Sequence, residues 1–204
     1  MRTFADNSLA PGYSLFAERY LEGARHIEAQ ILVDHEGRGI SLGERECSVQ
    51  RRHQKLLEET PSPVVDEATR RRLGSYALRA CRAAGYVNAG TVEFVRDLQR
   101  RFYFLEINAR LQVEHPVTEA VTGMDLVESQ IRIAAGEPLP AKPRSLRPRG
   151  WALECRILAE DPENGFRPSP GRIGLYRPPA GPRVRVDGGV TEGDEVSLHY
   201  DSLL

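Results

Sequence analysis

The residue pattern predicts a fold that mixes strands and helices, and three features carry that prediction. Segments rich in β-formers with partial alternation lie on both sides of a stripe with helical spacing. A second helical stretch follows, and a proline-rich run separates all of these from further strand-like segments. The length agrees: 204 residues, 40% hydrophobic and 28% charged, suffice for one or two domains whose core needs no disulfide or metal staples.

Taken in order, residues 13–20, 25–33 and 39–44 read as strands, broken by Leu21-Glu22-Gly23 and by the turn-like Asp34-His35-Glu36-Gly37. From Asp66 the period changes. Leu73, Tyr76, Ala77, Ala80, Cys81 and Ala84 recur as one buried helical stripe, with Asp66 placed to cap its start and Gly85 its end. Residues 90–96 and 101–108 read as a strand pair joined by a short turn, and residues 124–135 as a second helix closed by Gly136 and Pro138. Residues 137–149 hold four prolines and no periodicity, which predicts a linker. Beyond it, residues 151–158 and 172–176 look like strands flanking a Pro/Gly-rich loop over 161–171, and residues 196–200 like one more. The chain closes on apolar Leu203-Leu204, which raises the expectation of truncation.

Composition excludes several classes of function. Cys47, Cys81 and Cys155 are odd in number, widely spaced and free of any CxxC pattern, so inert thiols in a reducing compartment are expected. No apolar run reaches membrane-spanning length and no charged-then-apolar leader opens the chain, so a cytoplasmic protein without membrane partners is expected. The formal charge is −1 with both signs dispersed, which gives no footprint for nucleic acid. Of 28 basic residues only Lys55 and Lys142 are lysines. HExxH, GxxxxGK[ST] and GxGxxG motifs are all absent from the sequence.

Three constellations could carry chemistry. A turn centred on Gln99 and Arg100 sets Glu93 opposite Glu106, and opposed carboxylates destabilise a strand pair unless something positive lies between them. Asn108, two residues on, shares that face. Two carboxylates and an amide suit a hard cation such as Mg²⁺, although an ordinary solvated sheet face explains the same glutamates. In Arg110-Leu111-Gln112-Val113-Glu114, alternation keeps Arg110, Gln112 and Glu114 on one side. A guanidinium beside a carboxylate could bind a small planar anion and take its proton; a plain ion pair is the simpler account. The third is Gln50-Arg51-Arg52-His53-Gln54-Lys55, either a solvated basic segment or a place where His53 and Lys55 meet phosphate or another anion. His26 beside Arg25 and His115 before Pro116 read as structural.

Longer strings are more specific. They include Glu18-Arg19-Tyr20-Leu21, Arg25-His26-Ile27-Glu28, the run from Gly43 to Lys55, Gly90-Thr91-Val92-Glu93-Phe94, the run from Phe104 to Glu119, Glu154-Cys155-Arg156-Ile157 and Pro168-Ser169-Pro170-Gly171. In these strings the sequence resembles the biotin carboxylase module of biotin-dependent carboxylases of the acetyl- or propionyl-CoA carboxylase type, a branch of the ATP-grasp enzymes. The strings run in family order over nearly the whole chain.

The fold implied by the resemblance is α+β: the carboxyl-terminal part of an ATP-grasp domain over residues 1–140, a Pro-rich linker over 141–149, and the start of a mainly β biotin carboxylase C-terminal domain over 150–204. The implied activity is ATP-dependent carboxylation of protein-linked biotin with bicarbonate, through carboxyphosphate. Its cofactors are ATP and Mg²⁺ or Mn²⁺, with biotin as carried substrate. Implied partners are a biotin carboxyl carrier, a carboxyltransferase component and, in the full-length form, a second copy.

By the same resemblance Glu18, Leu21, His26, Gln50 and His53 hold the nucleotide, and Glu93, Glu106 and Asn108 the metal. Lys55, Arg110 and the backbone at Val113 hold bicarbonate in a pocket that Gln112 helps to frame. Glu114 is its base, and Arg156 stabilises the biotin enolate. The family's glycine-rich lid and ATP-gripping lysines have no match ahead of Lys55, and Ala109 replaces a common threonine. The chain by itself is therefore expected to turn over little ATP, and a non-catalytic binding or dimerisation module of the same fold is the competing expectation.

Overall fold

The computed structural model describes residues 18–139 and 148–204. The expected strand over 13–20 and the middle of the Pro-rich linker, Lys142 included, lie largely outside that range. Six strands form one antiparallel sheet in the order β5-β4-β1-β2-β3-β6: β1 Arg25–Val33, β2 Gly39–Arg51, β3 Gln54–Thr60, β4 Asn88–Arg96, β5 Phe102–Asn108 and β6 Ala152–Cys155. Helix α1 (Glu67–Ala83) packs on β1 and β2, α2 (His115–Thr122) on β2, β3 and β6, and α3 (Leu126–Ala134) on β4.

Alternation along β1 divides the molecule. Ile27, Ala29 and Ile31 join Leu73, Ala77 and Cys81 of α1 in a core with Val92 and Phe94 of β4. His26, Glu28 and Gln30 face the other way. Farther along that second face, Leu32, Ile40, Leu42 and Ala89 pack against Leu126 and Ile133 of α3. One end of this face is thus apolar, and the other is polar yet buried.

A bulge creates that polar end. Between the pairs Ala29↔Glu44 and Ile31↔Ser41, β2 has two residues, Leu42 and Gly43, opposite the single Gln30. Gly43 takes φ 95°, open to glycine and strained for other residues. The extra residue reverses the parity of β2, so Arg45 follows Leu42 onto the face of Glu28. Glu44 and Glu46 turn to the opposite side, where Arg70 of α1 and Ser62 meet them.

Helix α1 begins where its cap predicts: the Asp66 carboxylate accepts from Thr69 N at 2.7 Å, and Gly85 follows the C-cap at φ 62°. Its buried stripe is Leu73, Gly74, Ala77 and Cys81, whereas Tyr76 and Ala84 are exposed. The helix is rotated so that Gly74 meets the sheet. A Cβ there would lie 2.8 Å from Ser41 Oγ and 2.9 Å from its Cβ. Gly74→Ala is therefore expected to destabilise the protein by about 1–3 kcal/mol despite alanine's better helix propensity. Adding Ser41→Gly is expected to recover most of the loss in urea unfolding; an unchanged midpoint in the single variant would count against this seat.

Several expectations need correcting. The Gln50–Lys55 stretch is the tip of a β2–β3 hairpin, with Gln50↔Lys55 and Arg51↔Gln54 paired around Arg52 and His53, which take φ 52° and 67°. Charged residues and the unusual turn pair conceal β3 in the sequence. Residues 109–114 are loop rather than an alternating strand, and a helix not foreseen, α2, starts at His115 with Pro116 in its first turn. The second foreseen helix is shorter, Leu126–Ala134, capped by Asp125.

Beyond β6 the expected long strands shrink to two-residue pairs, Glu160–Asp161 with Arg167–Pro168 and Gly171–Arg172 with Glu195–Val196, and residues 197–200 are not strand. Leu158 bridges Leu203, and Leu204 N donates to Ile157 O at 2.9 Å. All three cysteines are free, Cys47 and Cys81 buried and Cys155 exposed. Among the described residues no helix is long and apolar enough to cross a membrane.

Candidate active site

The buried polar end of the sheet gathers charges from five strands and the 109–114 loop. Glu93 and Glu106 are directly paired, as expected from the sequence, and Thr91 lies opposite Asn108, although the pairs nearest the turn run one residue out of the register expected from a turn centred on Gln99 and Arg100. A bulge at Leu105 shifts the register only nearer the turn. Asn108 Nδ2 donates to Glu93 Oε1 at 3.0 Å and to Glu106 Oε1 at 3.2 Å, so the three side chains converge on one spot. Lys55 Nζ stands 3.0 Å from the same Glu93 oxygen. This is the positive group that opposed carboxylates require.

Lys55 also reaches Glu28 Oε2 and Glu114 Oε1, each at 2.5 Å. Burial alone would lower its pKa, but Glu28 and Glu114 outweigh burial and raise it above the ordinary lysine value. Glu114 is buried, and its second oxygen accepts from Arg156 Nη2 at 2.8 Å. One carboxylate is therefore gripped at both oxygens by two cations.

Arg45 organises the surroundings. Its side chain is fully buried and donates to Glu28 at 2.5 Å, Gln30 at 2.6 Å, Thr118 at 2.9 Å, Thr91 at 3.0 Å and Gln112 at 3.2 Å. Gln112 in turn donates from Nε2 to Glu93 at 3.1 Å. One guanidinium thus ties three strands, α2 and the preceding loop into the site. Burial would raise the Glu28 carboxyl, but Arg45 and then Lys55 bring it below its ordinary value.

His26 Nε2 lies 2.9 Å from Glu93 Oε2, an ion-pair distance, although this buried nitrogen has no aligned hydrogen-bond partner. Its Nδ1 is 3.2 Å from Gln50 Nε2, which also donates to Cys47 O. Burial pushes Glu93 up, but His26 and Lys55 prevail and hold it at about 2.

The sign of the consequence is fixed: a carboxyl held low in the folded state stabilises the fold above its unfolded pKa. That contribution is lost as pH falls through the folded value of about 2. Glu93→Gln is expected to flatten the dependence of unfolding free energy on pH between about 4.5 and about 2. Denaturant titrations across that window check it, and superimposable profiles would contradict it.

Not every expected site residue joins this cluster. Glu18 is exposed and Leu21 half-buried ahead of β1, His53 is exposed at the hairpin tip, and Arg110 is exposed and donates to Leu111 O at 3.3 Å. None of the four is hydrogen-bonded to the cluster among the described residues. Val113 is 43% exposed between buried Gln112 and Glu114. Residue-by-residue reading missed Glu28, Arg45, Glu58 and Glu154. Alternation placed Glu28 with His26 and Glu154 with Arg156, a usable signal; Arg45 gave none, because the bulge changes its side.

Chemically, Glu93, Glu106 and Asn108 offer oxygen donors without thiolate, a set that fits a hard divalent cation. The Glu93 and Glu106 oxygens meet around the Asn108 amide, whose Nδ2 now faces them and whose oxygen a flip of the amide would present to a cation. Glu114 between Lys55 and Arg156 can exchange its ion pairs for an anionic substrate and take a proton from it.

Comparison with known proteins points the same way. The family model described as "Carbamoyl-phosphate synthase L chain, ATP binding domain" matches residues 3–142, and "Biotin carboxylase C-terminal domain" matches residues 154–204. The propionyl-CoA carboxylase alpha chain of Ruegeria pomeroyi is 53% identical over 93% of this chain and 31% of its own. Biotin carboxylase 1 of Bacillus subtilis is 51% identical over 93% of this chain and 42% of its own. The biotin carboxylase domain dimer of the Hydrogenobacter thermophilus 2-oxoglutarate carboxylase, in complex with MgADP, ADP and bicarbonate, superposes with a TM-score of 0.89 at 49% identity. That match covers 92% of this chain and 41% of the other. The chain thus spans less than half the length of these relatives.

Proposed function

The chain belongs to the biotin carboxylase family of ATP-grasp proteins, and from that premise we propose that it supplies the metal, bicarbonate and biotin-facing residues for ATP-dependent carboxylation of protein-linked biotin. The observation that carries this reading is the grip on Glu114 by Lys55 and Arg156 beside the Glu93 and Glu106 carboxylates, which meet at the Asn108 amide.

In this reading bicarbonate enters between Lys55 and Arg110, against the Val113 backbone, with Gln112 framing the pocket. Glu114 releases its ion pairs and takes the bicarbonate proton as general base. Bicarbonate then attacks the γ-phosphoryl of ATP, giving carboxyphosphate and ADP. The C–O bond of carboxyphosphate breaks beside biotin to give CO₂ and phosphate, the phosphate takes the ureido N–H proton, and that nitrogen attacks CO₂ to form the new carbon–nitrogen bond. Arg156 turns from Glu114 to the biotin enolate oxygen. Mg²⁺ or Mn²⁺ held by Glu93, Glu106 and Asn108 would neutralise charge on the phosphoryl oxygens. Glu18, Leu21, His26, Gln50 and His53 contact the nucleotide.

We also propose the division into ATP-grasp residues 1–140, linker 141–149 and C-terminal residues 150–204, with β6 completing the sheet of the first part from the second. Carrier, carboxyltransferase, a second copy and a cytoplasmic setting belong to the same reading of the whole module. The chain contributes one side of the nucleotide site, so by itself it is expected to turn over little ATP.

Calorimetry with MgADP and with bicarbonate tests the reading on the chain as it stands. Binding of bicarbonate that Lys55→Met abolishes is the expected result. Bicarbonate binding that survives both Lys55→Met and Arg156→Met would overturn it.

A further inference from the structure

A second pair of opposed carboxyls, Glu58 and Glu154, stands behind Arg156. Strands β3 and β6 set Glu58 directly opposite Glu154. Glu58 is fully buried, and its Oε1 accepts from Arg156 Nε at 2.7 Å. The other Glu58 oxygen, Oε2, is buried with no hydrogen-bond partner, and so is Oε2 of Glu154. Two orphaned carboxyl oxygens on directly paired residues are costly if both groups are ionised, and they satisfy each other if one carries a proton.

Charge counting favours the proton. Glu28, Glu58, Glu93, Glu114 and Glu154 crowd one region whose permanent cations among the described residues are Arg45, Lys55 and Arg156, and these are already engaged by Glu28, Glu58, Glu93 and Glu114. Among the described residues no cation pairs with Glu154.

We propose that Glu58 and Glu154 share one proton across the β3–β6 pair and act as positioning residues that hold the Arg156 guanidinium against Glu114. Glu154 donates to Glu58 Oε2, Glu58 Oε1 accepts from Arg156 Nε, and the fork of Arg156 leaves Nη2 free to reach Glu114. With the proton gone, the added negative charge on the pair would draw Arg156 back toward it.

The groups facing this pair agree in direction. Burial first, then the charges of Glu58 and Glu114, push Glu154 up to about 8 against the opposing pull of Arg156 and Arg45. Glu58 is also raised, by burial before Glu114 and Glu28, with Arg156 opposing. From α2, packed on β3 and β6, His115 and Glu119 face each other at 3.9 Å.

The role given to Arg156 rests on the carboxylase reading; the shared proton does not. Infrared spectra of the 204-residue chain test the proton without any ligand. A protonated carboxylic acid band is expected near neutral pH, disappearing as pH rises through about 8, and absent from Glu154→Gln. The ¹⁵N shift of Arg156 Nε is expected to move with the same midpoint in the native chain and to stay constant in Glu154→Gln, whose neutral amide still donates.

Absence of the acid band from the native chain, or its persistence in both Glu58→Gln and Glu154→Gln, would overturn the pair. The native-chain spectra give this answer even where a variant fails to fold. Loss of bicarbonate binding with the band intact would sink the carboxylase reading instead.

Discussion

Replacing Arg45 with methionine is expected to destabilise the protein by about 3–5 kcal/mol, because it leaves the Glu28 carboxylate buried without its guanidinium. Four further acceptors, on Gln30, Thr91, Gln112 and Thr118, lose a donor at the same time. A loss of that size is a large fraction of the ~5–15 kcal/mol that holds an ordinary domain together. Urea unfolding should show a greatly lowered midpoint. The double variant Arg45→Met with Glu28→Met should recover part of it, since a buried ion pair is far cheaper to replace whole than to halve. A single variant within experimental error of the native midpoint would mean that the network contributes little.

Glu114→Gln is expected to lower biotin- and bicarbonate-dependent phosphate release by about 10²–10⁴-fold in a module that carries these residues, the range for removing a general base. The amide keeps the size of the side chain but cannot take the bicarbonate proton, and it exchanges two ion pairs for weaker contacts with Lys55 and Arg156. MgADP binding, which uses other residues, should change little. Steady-state kinetics beside calorimetry separates the outcomes: loss of turnover with nucleotide binding retained fits a base. Equal loss of both would assign Glu114 a structural role.

Part of this site is legible in the sequence. The sequence suggests the Glu93–Glu106 pairing from a turn centred on Gln99 and Arg100; the pairs nearest the turn lie one residue out of that register, and the bulge at Leu105 restores it at Glu93. Asp66 announced the start of α1 by the chemistry of its side chain, which accepts from an otherwise orphaned backbone amide. The string around Glu114 marked the loop that enters the site, but not its shape. An alternating pattern fits loop and strand alike, and the proline that starts α2 reads equally well as a break.

The rest was hidden for reasons that can be named. Strand β3 carries Lys55, Glu58 and Glu59, charges that suggest solvent, whereas Glu58 is wholly buried, with Arg156, the residue just after β6, meeting it. The partnership spans 98 residues of sequence, and no local pattern announces it. Tyr76 fits the helical period of α1 and is nonetheless exposed, because the close seat at Gly74 sets the rotation of the helix.

The sequence by itself determined the family, the mixture of strands and helices and the residue types available for chemistry, since these follow from local periodicity, caps and ordered strings. Beyond the Glu93–Glu106 pair, only the tertiary structure decided which charges face one another. One extra residue at the Gly43 bulge sends Arg45 to the side of Glu28, and the pairing of β3 with β6 sets Glu58 against Glu154. In a sheet with side chains alternating by residue, a shift of one position exchanges the two faces, and that shift is fixed by pairing across the whole sheet.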